Sequence, residues 1–164
     1  MPIVLPRSTG GKPHWEENGA GVVVYDWNAA ENTLSGTFVL AMYHGLLATE
    51  TGHKIEGVPG ELPGTYRIET LSPNGAAFSH GLLLLVPMGG DGAYDVTYDL
   101  TPLPEHVAAL GFAAGTRLGF KAVGLFLSAQ SKLAVSWDNN LYTRLWEASE
   151  VSHAEWGLRI VRST

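Results

Sequence analysis

Apolar and polar residues alternate along much of the chain in short stretches with a period of two. That period marks strands whose two faces meet different surroundings. Residues 21–27 (Gly-Val-Val-Val-Tyr-Asp-Trp) predict a first strand, 28–32 a turn, and 33–44 the return strand of a hairpin. Residues 45–64 are interrupted by Gly and Pro and predict only a short strand at 53–56. Residues 66–71 predict the next strand, closed by Ser72-Pro73-Asn74-Gly75, whose Asn-Gly pair suits positive φ. Residues 76–88 hold the continuous run Gly-Leu-Leu-Leu-Leu-Val, which periodicity alone cannot assign; its length and its flanking turn residues predict a buried strand. Gly89-Gly90-Asp91-Gly92 then reads as a hairpin turn before a strand at 93–100. Strands follow at 118–127, 132–137 and 158–162, with 145–150 open between strand and helical turn. The one helix predicted is residues 104–110, with Pro and Glu at its start and Gly111 after its end.

Eight or nine short strands and a single helical turn predict an all-β, single-domain antiparallel sandwich or flattened barrel. Residues 1–18 are interrupted by Pro2, Pro6, a Gly-Gly pair and Lys12-Pro13-His14 and predict an extended arm, with the domain spanning 19–164. The pairs Leu34-Ser-Gly-Thr-Phe38 and Leu62-Pro-Gly-Thr-Tyr66 echo one another, but two copies make no repeat array; they read as similar turns where glycine permits a bend.

Composition narrows the function. The chain is 45% hydrophobic and 16% charged, with 20 Gly, 9 Pro and no Cys, which fits a turn-rich β globule and excludes disulfides and thiolate chemistry. A net charge of −6 with scattered Lys and Arg argues against nucleic acid, whose phosphates need a basic stripe. No stretch resembles a secretory signal or reaches the roughly 18 apolar residues of a membrane span, so cytoplasmic residence is the default expectation.

Catalytic motifs are sparse. His14, His44, His53, His80, His106 and His153 show no metal-ligand spacing, and no nucleophile elbow is present, so neither metal nor cofactor is expected. Asp95 and Asp99 share a strand face but stand roughly 13 Å apart along it, too far for a direct pair. They predict exterior positions.

Residues 133–146 concentrate aromatics where a strand runs into a polar loop: Trp137, Tyr142 and Trp146 around Asp138 and Asn140. Such side chains bury an apolar body and keep a polar tip wet, which suits a lipid headgroup, a glycan or a protein partner. The segment 102–146 resembles part of the actinoporin-like family of β-sandwich cytolysins and lectin-like relatives. The likeness rests on Pro102-Leu-Pro104-Glu105, Ala122-Val123-Gly124-Leu-Phe126, and Leu133-Ala-Val135 followed by Asp138, Asn140-Leu141-Tyr142 and Trp146. The resemblance implies that Trp137, Tyr142 and Trp146 stack on a choline-like ammonium while Asn140 orients the loop. The family's amphipathic N-terminal helix is replaced by a Pro- and Gly-broken arm, so binding rather than membrane perforation is the expectation.

A second likeness, Trp15 with Asn18 and then Asn32-Thr-Leu34-Ser-Gly36-Thr-Phe38, is similar to the opening hairpin of avidin-like barrels. It implies a closed barrel holding a small apolar ligand, with Trp27, Tyr43, His44, Tyr66, Phe78 and His80 as interior candidates. In that version the protein is a lipocalin- or avidin-like binder, or a cofactor-independent cyclase or isomerase using one His or Tyr as acid or base. The leading expectation is a binder of a lipid headgroup or glycan through the 137–146 aromatics, and the sparse motifs lean against catalysis without excluding it. A third expectation is a homo-oligomer that packs these aromatics between subunits.

Overall fold

A computed structural model describes residues 20–40, 45–103, 117–137 and 144–146, the last as strand alone. Nine antiparallel strands form in chain order: β1 Gly21–Asn28, β2 Thr33–Leu40, β3 Ala48–Glu56, β4 Gly64–Leu71, β5 Ala77–Pro87, β6 Ala93–Pro102, β7 Arg117–Leu127, β8 Lys132–Trp137 and β9 Arg144–Trp146. Each of β1 to β8 pairs with its sequence neighbours, and β8 returns to β1 with Tyr25 opposite Leu133. The sheet is therefore a closed eight-stranded barrel, the closed form of the expected all-β fold. Closure pairs each of β1 to β8 on both edges, which removes the exposed edge that an open sheet must protect. β9 pairs with β7 at Arg117–Gly119, on the edge that β8 occupies at Val123–Leu127. The chain thus leaves β8 and rejoins the same neighbour.

The interior follows from parity. On β1, Val23, Tyr25 and Trp27 point inward and are buried, whereas Val22, Val24 and Asp26 point out. Leu34 and Phe38 on β2, Ile68 on β4, Leu83 and Leu85 on β5, Val96 and Tyr98 on β6, and Leu133 and Val135 on β8 complete one contiguous core. Turn chemistry holds the hairpins. The Asn28 side chain accepts hydrogen bonds from the amides of Ala30 and Glu31 at 3.1 and 3.2 Å, and Asn32 takes the left-handed conformation at φ 56°. At the β4–β5 turn, Gly75 has φ 84° and the Asn74 side chain accepts from the Ala76 amide at 3.0 Å.

One barrel end is plugged. Leu62, in the β3–β4 connection, is 5% exposed, and its carbonyl accepts the Tyr66 hydroxyl at 2.7 Å. Trp27 meets Tyr66 edge to face at 6.0 Å, and Lys54 covers both rings while donating to the carbonyls of Val58 and Glu61. Asp95 and Asp99 lie on the outer face, where Lys121 and Arg117 pair with them.

Strand 53–56 is longer than expected, beginning at Ala48; residues 145–150 resolve in part as strand, at Arg144–Trp146. The predicted arm 1–18, helix 104–110 and strand 158–162 lie outside the described residues. Among the described residues no helix is long and apolar enough to cross a membrane.

Barrel curvature brings β5 and β6 into tight contact at Gly81, where an added Cβ would stand 2.1 Å from the Asp99 carbonyl oxygen. Gly81→Ala is expected to lose about 3 kcal/mol in urea unfolding, because the obstacle is backbone and cannot rotate away. Gly90→Ala, where nothing lies within 4 Å, should stay within about 0.5 kcal/mol of the native chain.

Candidate functional site

β1, β2 and β3 align Tyr25, Gly36 and Glu50 in one register row. Because Gly36 has no side chain, the Tyr25 ring lies across it; a Cβ there would be 2.7 Å from ring atoms Cδ1 and Cε1. Tyr25 thereby reaches past β2 and donates its hydroxyl proton to Glu50 Oε1. The Tyr25 hydroxyl also lies 2.7 Å from the Tyr98 hydroxyl, contributed by β6. A phenol has one proton. When Glu50 is ionised, Tyr25 spends that proton on the carboxylate and must accept from Tyr98, so the chain runs Tyr98 to Tyr25 to Glu50.

All three groups are removed from water: Tyr25 is 0%, Glu50 6% and Tyr98 2% exposed. Glu50 Oε2 has no hydrogen-bond donor among the described residues. An unsatisfied buried oxygen carries a desolvation penalty of about 1–3 kcal/mol, more if charged, and such atoms are uncommon in folded proteins. Burial raises the Glu50 pKa from 4.5 to about 7, against the opposing hydrogen bond from Tyr25. Burial likewise raises both phenols well above their usual range, reinforced at each by the Glu50 charge, so they remain protonated donors.

The surroundings of this chain are of two kinds. Beside Glu50, the register continues to Thr70 on β4 and Ser79 on β5, both buried, with their hydroxyls 2.5 Å apart. Beside Tyr98 stands an aromatic wall. Phe120 stacks on Tyr98 at 4.6 Å and 16°, and Trp137 meets Phe120 at 5.5 Å and Tyr98 at 5.9 Å. Gly21 provides the space for the Trp137 ring, since a Cβ there would be 2.7 Å from Cζ2. The interior thus brings together a carboxyl with one undonated oxygen, two hydroxyls paired with each other, and three aromatic rings packed against one another.

The residues expected from sequence are distributed differently. Trp137 ends β8 and its half-buried ring joins the interior wall. Asp138, Asn140 and Tyr142 lie outside the described residues, as does the Trp146 side chain. Trp27 and Tyr66 face the interior, at the plugged end. Tyr43 and His44 lie outside the described residues. Phe78 and His80 are corrected to the outer parity of β5, because Ser79, Gly81, Leu83 and Leu85 take its inward positions. His80 lines an external groove of about 410 Å³ with Arg67, Glu69, Leu82, Asp99 and Arg117. Tyr25, Glu50, Tyr98 and Phe120 were not singled out from sequence, although Tyr25 shares its strand face with Trp27.

A buried acid with a raised pKa binds a proton in the folded state that the unfolded chain has already lost. Stability is therefore greatest on the acid side of this titration, falls as pH rises from about 4.5 to about 7, and then levels, a linkage worth about 3 kcal/mol. Glu50→Gln should lack this decline in urea unfolding followed across that range, whereas parallel profiles for the two proteins would mean that Glu50 does not titrate there. Comparison of the chain with protein-family models, with curated proteins and with solved structures finds no match, which leaves the chemistry of the interior as the ground for assigning a function.

Proposed function

We propose that the barrel binds a small molecule with a flat apolar body and one polar group. The body lies against Tyr98, Phe120 and Trp137, and the polar group meets Glu50. The observation that carries this reading is the undonated Oε2 of a carboxyl that is 6% exposed and shares its hydrogen-bond chain with the aromatic wall. A packed apolar interior would hold the fold without such a group, and a mainly apolar lining with few polar anchors is the usual chemistry of a small-molecule site.

The lipid-headgroup or glycan reading draws on a cluster of Trp137, Tyr142 and Trp146. Trp137 is engaged with Phe120 and Tyr98, and this favours the interior over a rim loop as the binding surface. An isomerase or cyclase would use Tyr98, Tyr25 and Glu50 as a proton relay. Binding requires only the contacts described, and it is the function assigned.

Calorimetric titration with a panel of small aryl alcohols and amines tests the assignment. At least one should bind, and Phe120→Leu should weaken it at least about tenfold. Asp95→Asn, on the outer face, should leave it unchanged. Binding that is indifferent to Phe120→Leu, or no binding across the panel, removes the interior as the site.

A further inference from the structure

Among the described residues, Glu50 is the one carboxyl buried inside the barrel, and no cation pairs with it. The ion pairs of the described residues, Arg117 with Asp99, Lys121 with Asp95 and Lys132 with Asp26, all sit on the outer face. Lys54 faces inward only at the plugged end, where the carbonyls of Val58 and Glu61 hold its ammonium. Around Glu50 itself, β1 contributes Tyr25, β2 contributes Gly36, β4 contributes Thr70 and β6 contributes Tyr98. None of these is cationic. An ionised carboxylate taken from water without a counter-charge is costly, and a partner that brings both charge and a proton donor offsets that cost.

We infer that the polar group accepted by this interior is an ammonium, so the ligand class is a small organic amine carrying at least one N–H and a flat apolar body. The inference rests on the small-molecule reading above and deepens it. Three features converge. Oε2 needs a donor, and an ammonium N–H supplies one while neutralising the carboxylate. The hydroxyls of Tyr98 and Tyr25 are committed in sequence toward Glu50, which leaves neither proton for an anionic or acceptor-rich ligand. Thr70 and Ser79 are likewise paired with each other.

The aromatic wall adds to this selection. A ring face carries negative quadrupole potential, and Tyr98, Phe120 and Trp137 stand together on the side of the barrel to which the hydroxyl chain leads. A cation at Oε2 is attracted by both. The net charge of −6 favours approach of cations over anions from a distance. Protonation of Glu50 below about pH 7 removes the counter-charge, so the amine should be held near and above neutrality and released in acid.

The test compares 2-phenylethylamine with 2-phenylethanol, which share a skeleton and differ in the charged donor. In calorimetric titration of the full chain at about pH 8, the amine should bind at least about tenfold more tightly than the alcohol. The preference should vanish at about pH 5.5, where the amine stays charged and Glu50 does not. It should also vanish in Glu50→Gln, whose shape is retained; the pH dependence of the native chain serves as the independent check if that variant folds poorly. An alcohol bound as tightly as the amine, or an amine preference that survives acid and Glu50→Gln, overturns the ammonium assignment while the interior site stands. Failure of both probes to bind overturns the assignment together with the site.

Discussion

Inside a closed barrel every wall atom is sheltered from water. The backbone groups of β1 to β8 are used in the ladders, water is excluded, and a polar side chain that points inward has only other inward side chains to answer it. Glu50 is the severest case. Its position is fixed by strand parity, its environment by closure, and its partial satisfaction by a tyrosine that reaches it across a glycine. The arrangement of Tyr25, Gly36 and Tyr98 follows from that one requirement, as does the raised pKa of the carboxyl.

Structure and proposed site therefore share residues, unlike sites whose binding groups are carried on loops. Tyr25 and Tyr98 are among the largest fully buried side chains, so they fill the core as well as conduct hydrogen bonds. Gly36 and Gly21 are small because aromatic rings occupy the space that their side chains would take. The strands place the carboxyl and the rings with little freedom to adjust, and under the proposed function a ligand would have to suit the interior rather than reshape it.

Much of the fold was legible and the chemistry was not, for related reasons. β1 and β8 alternate with apolar residues inward, so their bounds were readable to within a residue or so. β3 carries little strand signal in the sequence because its inward residues are Ala48, Glu50 and Gly52 and its outward ones Thr49, Thr51 and His53, a pattern with no apolar stripe. The feature that hid the strand is the feature that makes it chemical. On β5 the run Leu82 to Val86 is apolar on both faces and so hides its parity, which Ser79 and Gly81 set by facing inward with Phe78 and His80 on the outer side. The choice between sandwich and barrel turned on the pairing of β1 with β8, a contact between distant segments that no local pattern encodes.

That seam has a kinetic meaning. Every other barrel pairing joins neighbours in sequence and can form as a local hairpin, whereas β1 and β8 meet only after the intervening strands are in place, the slow kind of contact that entropy penalises most. Tyr25 lies on that seam, opposite Leu133. Glu50 is linked to Tyr98 only through Tyr25, a residue of that seam, so the low-dielectric setting of the carboxyl depends on closure of the barrel. The energetic cost of the buried acid is therefore a property of the closed barrel, because an open meander would leave the same carboxyl in water.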